Sequence, residues 1–221
     1  MSNDLVVQGL DIGALAVEDK NWGDVVKGGS YLPQLRVYGG QSEAAKEGKI
    51  GLGHLGMQKG KEELIDFGKS VDVLLLTYRH NAVEFTDDGV FNFYDPKSAN
   101  FLRIKETADN TKGLSGCQYG PDFLVYIPSA ESFASFHLGS KSARFIANDV
   151  RALLGKWATI TSEYVKTPKF SWHAPKVAPA IASNYDIPPL EILQAEINKF
   201  VNAKESVVSK GEAPKEGERV Q

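Results

Sequence analysis

The chain predicts a mainly β fold with two or three helices, its strands closing into a barrel or a sandwich. Three observations point there. Seven or eight short apolar stretches follow one another, separated by Gly, Lys or Asp, at the spacing of strands rather than of βαβ units. One later stretch carries a helical period between natural caps. A proline pair then opens a last helix ahead of a polar tail.

Residues 1–30 hold five acids against two lysines and end in Lys27-Gly28-Gly29-Ser30. They read as an acidic lead-in with a flexible hinge and a faintly signalled helix between Asp11 and Asp19. From Tyr31 the text turns strand-like: YLPQLRVY, GKIGLGHL, ELIDFG, SVDVLLLTYRH, NAVEFT and VFNFYD, then PDFLVYIPS and SFASFHLG. Side-chain alternation puts Tyr78 and His80 on one face of their strand and Arg79 on the other. It likewise sets Phe91 and Phe93 opposite Tyr94, and Phe170 and Trp172 opposite Lys169, Ser171 and His173.

Ser140 is a natural N-cap and Gly155 a natural stop. Between them Ala143, Ile146, Ala147, Val150, Leu153 and Leu154 recur on one helical face, with Lys141, Arg144, Asn148 and Arg151 on another. WATITSEYV and KFSWHAP give two more strands, joined through Thr167-Pro168. The text APKVAPAIASNYDIPP predicts irregular chain. Pro188-Pro189 opens a helix whose Leu190, Leu193, Ile197, Phe200 and Val201 share a face. From Lys204 the tail balances four bases with four acids and reads as disordered. The β-rich domain is thus expected over residues 31–203.

Composition narrows the function classes. With 221 residues, 42% of them apolar and 24% charged, the chain has material for a real core. A pI near 5.9 argues against coating duplex DNA by bulk charge. Cys117 is the only cysteine, which excludes an internal disulfide and a cysteine-based zinc site. The four histidines show no H-x-x-x-H pair, so neither a metal nor a cofactor is expected. The N-terminus MSNDLVVQGLDIG lacks a secretory signal, and the longest strongly apolar run, Val73 to Leu76, is far too short to span a bilayer. A cytoplasmic protein with no membrane partner is the expectation.

Most motifs read as structural. Gly51-Leu52-Gly53-His54-Leu55-Gly56 matches G-x-G-x-x-G, but Met57-Gln58-Lys59-Gly60-Lys61 follows where a helix would have to open. A bulged strand or loop is the better reading. Ser115 in GLSGC does not form a nucleophile elbow, and Cys117 reads as a small packed residue. Asp87-Asp88-Gly89 reads as a hairpin turn, although with Asp95 it imitates a metal-dependent nuclease cluster.

The segment Ser129–Ala180 is different. Its seven Lys and Arg against three acids make it locally +4 in a chain of net −3. Phe133, Phe136, Trp157, Tyr164, Phe170 and Trp172 are interleaved with those charges. Cations that track phosphates beside rings that stack bases are what a non-specific single-strand binder needs.

A sheet of short strands, a capped helix, then two closing strands is the order of an OB-like barrel, whose helix lies between the third and fourth strands. A C-terminal helix would follow. In this layout the chain resembles the single-stranded DNA-binding proteins of tailed phages, the phage T7-type group with elaborated OB folds. The resemblance lies in Tyr31-Leu32-Pro33-Gln34-Leu35-Arg36-Val37, in Tyr119 to Pro128, in the helix Ser140–Leu154 and in Lys169-Phe170-Ser171-Trp172. It covers residues 31–175 and implies a non-enzymatic protein that protects single strands in phage replication or recombination, in the host cytoplasm. It also implies replication proteins as partners, with a homodimer admitted. The charge-balanced tail departs from the acidic tail usual in that group.

The expected DNA contacts are Arg36, Arg79, Lys141, Arg144, Lys156, Lys166 and Lys169 to phosphates. Tyr78, Tyr94, Tyr164 and Trp172 are the expected stacking rings. The alternatives are a phage structural or assembly protein without nucleic-acid affinity, and a nuclease using Asp87, Asp88 and Asp95.

Overall fold

The computed structural model describes residues 32–59, 63–87, 89–110, 116–140, 142–168, 171–181 and 185–209, with backbone alone at 206–209. The fold is mainly β with four helices and two antiparallel sheets. β1 (Leu35–Val37), β2 (Leu55–Lys59) and β3 (Glu63–Gly68) form the smaller sheet in that order. The first helix, α1 (Glu43–Lys46), falls between β1 and β2. The text read as GKIGLGHL is instead a turn, with Gly53 at φ +75°, leading into a β2 whose pairing shifts at Leu55/Gly56. The loop-and-bulge reading of the glycine motif therefore describes this segment.

The larger sheet is built on β4 (Ser70–Phe85), a 16-residue strand that fuses two expected ones. β5 (Gly89–Phe93) returns from it through the Thr86–Gly89 hairpin, as the Asp87-Asp88-Gly89 turn predicted. Helix α2 (Ala99–Asn110) follows, then β6 (Cys117–Ile127) and β7 (Ser132–His137). After α3 (Ala147–Arg151) come β8 (Trp157–Lys166) and β9 (Ser171–Pro179), then α4 (Leu190–Asn202) and β10 (Glu205–Ser209). The strand order is β10-β5-β4-β6-β7, with β8 pairing β4 and β9 pairing β8.

Core packing follows the two faces of β4. Val71, Val73 and Leu75 pack with Leu35, Leu55 and Met57 of the smaller sheet and with Phe123, Val125, Phe136, Val150 and Ile160. Pairing with β6 then shifts from Leu75↔Val125 to Thr77↔Leu124, leaving Leu76 as an extra residue. The bulge lets Tyr78 return to the face of Leu75. On the opposite face Leu74, Leu76, Leu124, Tyr126 and Trp157 meet Leu193, Ile197 and Phe200 of α4. Those three helical residues fall on one stripe, as the sequence predicted, and each buried side chain contributes about 1.5–3 kcal/mol. Phe101 and Ile104 of α2 cover Ala82, beside Phe93 and Tyr119.

Four expectations are corrected. Among the described residues neither sheet closes into a barrel. One edge of β4 serves β8 over Ser70–Leu74 and β5 over Ala82–Phe85, so the sheet branches there instead of curling shut. The smaller sheet joins the larger through a shared core and an isolated Gln34↔Ser135 bridge. Second, the segment expected as one helix starts and stops where predicted: Ser140 Oγ accepts the Ala143 N–H at 3.1 Å, and Gly155 stands at φ +76°. Its interior, however, is a 3-10 turn over Ala143–Ile146 followed by α3, joined at Ile146 with φ −89° and ψ 0°. The apolar face survives this change, with Ala143, Ile146, Ala147, Val150, Leu153 and Leu154 all on the main core. Third, the proline-rich text continues β9 as far as Pro179, because an edge strand tolerates proline. Fourth, Glu205–Ser209 of the expected tail pairs with β5. The acidic lead-in, its helix and the tail beyond Ser209 lie outside the described residues.

Candidate nucleic-acid interface

Tyr78 and His80 of β4 lie beside Tyr119 of β6 because Ala82 pairs with Tyr119 in the antiparallel register. Tyr78 and His80 meet edge-on with centroids 6.2 Å apart, while His80 and Tyr119 are near parallel, at 10° and 6.2 Å. Tyr78 rests on Phe123 at 5.7 Å, and Tyr119 is held edge-on by Phe101 of α2 at 5.6 Å. All three platform rings are half-buried.

Cations from two helical segments overlie these rings. The Arg151 guanidinium of α3 sits 4.5 Å from the Tyr78 centroid. Arg144, in the 3-10 turn, and Lys105 of α2 stand 5.6 and 5.2 Å from the Tyr119 centroid. One carboxylate, Asp109, accepts hydrogen bonds from Lys105 at 3.0 Å and Arg144 at 3.1 Å. Among the described residues, two of the three cations therefore share one acid. Partial burial pushes the Asp109 carboxyl up, but the hydrogen bonds from Lys105 and Arg144 outweigh it and hold it below the ordinary carboxylate range. Burial, then the charge of Arg151, lowers the His80 pKa. His80 Nδ1 and Arg151 Nε are buried without a hydrogen-bond partner among the described residues. Phe145, next to Arg144, is 85% exposed.

Of the sequence-predicted contacts, this platform brings together Tyr78 and Arg144. Arg79 and Tyr94 are elsewhere, on the opposite face of β4 and inside the protein. The Arg79 guanidinium lies 3.3 Å from the Tyr94 centroid and 3.8 Å from that of Phe200. It donates to Asp122 Oδ2 at 3.2 and 3.3 Å and to the Phe200 carbonyl at 2.6 Å. Ser135 Oγ donates to the other Asp122 oxygen. With side chains 11% and 1% exposed, Arg79 and Asp122 form an internal pair, which removes Arg79 and Tyr94 from the surface set.

Arg36 of β1 lies over Tyr38 and donates to its hydroxyl at 3.2 Å. Lys156 is exposed at the turn into β8. Tyr164, 56% exposed, pairs with His173 at 5.3 Å across the β8–β9 hairpin. Lys166 is exposed on the same hairpin, and Trp172 is half-buried there. Lys141 and Lys169 lie outside the described residues.

Sequence reasoning missed His80, Lys105, Tyr119 and Arg151 as site residues. Arg151 and Arg144 were visible on one helical stripe. Lys105 needed α2, signalled by Ser98, whose Oγ caps the Phe101 N–H at 3.2 Å, and by Phe101 and Ile104 one turn apart.

The remaining candidates behave as local structure. Asp95 accepts the Lys97 N–H at 2.9 Å, Asp87 is exposed in the hairpin, and Asp88 lies outside the described residues. Among the described residues no group of three or more His, Cys, Asp and Glu is placed to hold a metal ion. Cys117 is half-buried, its thiol pushed up by burial and by the nearby Glu84 charge. Among the described residues no helix is long and apolar enough to cross a membrane.

Compared with family models, with curated proteins and with solved structures, the chain matches none.

Proposed function

We propose that this chain binds single-stranded DNA non-enzymatically, with Tyr78, His80 and Tyr119 as the base-stacking floor. Lys105, Arg144 and Arg151 are its phosphate contacts. The observation that carries this reading is the arrangement itself: half-buried rings on adjacent strands, overlaid by three cations from two flanking segments, two of them paired with Asp109. Aromatic floors with cationic rims bind single strands without reading sequence. Protection of single strands in phage replication or recombination is the role that the resemblance adds.

The architecture is read as an opened, elaborated OB-type barrel. Its support is a long bulged strand shared among three neighbours and a smaller sheet closing over the same core.

The test is fluorescence anisotropy with a labelled oligo-dT at about 50 and about 300 mM salt, where affinity must fall as counterions compete. Tyr119→Ala is expected to weaken binding by about 1–3 kcal/mol, the cost of one lost stacking partner. No binding at the lower salt contradicts the proposal. That result favours an assembly protein, a reading that draws on exposed apolar side chains such as Ile181 (95% exposed), Leu190 and Ile192. Stable homo-oligomers would then be expected.

A further inference from the structure

We propose that Lys105 and Arg144 form a phosphate subsite of the platform, and that Asp109 occupies it as an internal anion which a strand phosphate displaces. The inference rests on the single-strand reading and assigns its regulation to one residue.

Asp109 is poorly placed to serve its own helix. It lies in the last turn of α2, where the helix dipole disfavours a negative charge. Its pairing with Lys105 runs with the cation N-terminal to the acid, the weaker orientation for an i, i+4 pair. A second partner, Arg144, is 35 residues away on a separate segment, so the carboxylate links the two cations that overlie Tyr119. Their positions beside that ring are where a phosphate would fall next to a base stacked on it.

The carboxylate already supplies what a phosphate would supply there: one negative charge and oxygen acceptors for an ammonium and a guanidinium. The pairs are partly exposed, at 41% and 36% for Lys105 and Asp109 and 24% for Arg144, so water screens them and an incoming anion can exchange. Exchange breaks no covalent bond and moves no proton. It swings the Asp109 carboxylate into solvent and leaves Lys105 and Arg144 on the phosphate. Asp109 thus lowers affinity for any single strand and discriminates against anions too weak to displace it.

The test uses the full chain and labelled oligo-dT, comparing wild type, Asp109→Asn and Glu106→Gln. Glu106 is an exposed acid on the same helix and controls for net charge. Asp109→Asn is expected to tighten binding about threefold or more at low salt with the log–log salt slope unchanged, because the strand phosphate sits on Lys105 and Arg144 in both proteins. Glu106→Gln is expected to change affinity less than about twofold, because its exposed carboxylate is not hydrogen-bonded to Lys105 or Arg144 among the described residues. Adding Arg144→Gln to Asp109→Asn should abolish the gain. Asp109→Ser, with thermal unfolding beside each variant, guards against a folding artefact.

If Asp109→Asn and Glu106→Gln act equally, or neither changes a wild type that binds, the subsite is overturned while the single-strand reading stands. If no protein binds, both fall. Binding by Asp109→Asn alone supports both.

Discussion

The two faces of β4 carry the same kinds of residue to opposite ends. On one, Arg79 lies between Tyr94 and Phe200, its donors taken by Asp122 and a carbonyl of α4. On the other, Arg151 lies over Tyr78, and Arg144 and Lys105 lie over Tyr119, with one carboxylate among them. Arginine on tyrosine is thus no signature by itself. A guanidinium held through all three of its nitrogens by a buried carboxylate and a carbonyl, with two rings against it, fastens a helix. One above a half-buried ring, on a side chain only partly buried, keeps its charge near the surface.

The comparison breaks most sharply through stability. Arg79→Ala or Asp122→Ala is expected to cost about 3–5 kcal/mol in urea unfolding, because each strands a buried charge. Arg151→Gln is expected to stay within about 1 kcal/mol of wild type, as substitutions near the surface usually do. A small loss at Arg79 would mean that its cluster does not hold α4.

Binding should show the reverse order. Arg151→Gln is expected to flatten the salt dependence of oligo-dT affinity by about 0.7 in log–log slope, one phosphate contact fewer. Equal slopes would take Arg151 out of the interface.

Acid is expected to have a gentler effect, in the same direction for His80 and His137. His137, with both ring nitrogens buried, and His80 are held below the ordinary histidine range, chiefly by burial. A folded pKa below the unfolded one means that the unfolded chain binds more protons in that window. Stability is therefore full above the ordinary histidine pKa and falls as pH drops through it. Thermal midpoints should decline from neutral pH toward mild acid, with a shallower decline in His137→Gln. A midpoint that rises over that interval contradicts the assignment.

The smallest effect is expected at the hairpin. Tyr164→Ser should alter affinity by less than about twofold, since a ring outside the strand's path contributes no stacking. A larger loss would extend the interface along β8 and β9.

How much was legible follows from range. The strands were readable because alternation and punctuation are local. The fusion of two of them into β4 was not, since it depends on Asn81 staying in the sheet with its amide donating to Asn92. The faces of Tyr78, Arg79 and His80 were also local, and their contacts agree with the alternation. Which face meets solvent was not legible. Arg79 is enclosed by Phe200, 121 residues on, through a helix whose stripe was visible but whose docking was not. Helix α2 was missed because Phe101 and Ile104 are its only buried residues in a polar run. Lys105 and Tyr119 went unread with it.

The most direct measurement is photocrosslinking of the full chain to an oligo-dT carrying 5-iododeoxyuridine, with the modified residues mapped by mass spectrometry. The account predicts adducts at Tyr78, His80 or Tyr119, and none at Tyr94 or Phe200. Adducts confined to Tyr164 and Trp172, or no adduct at all, would contradict it.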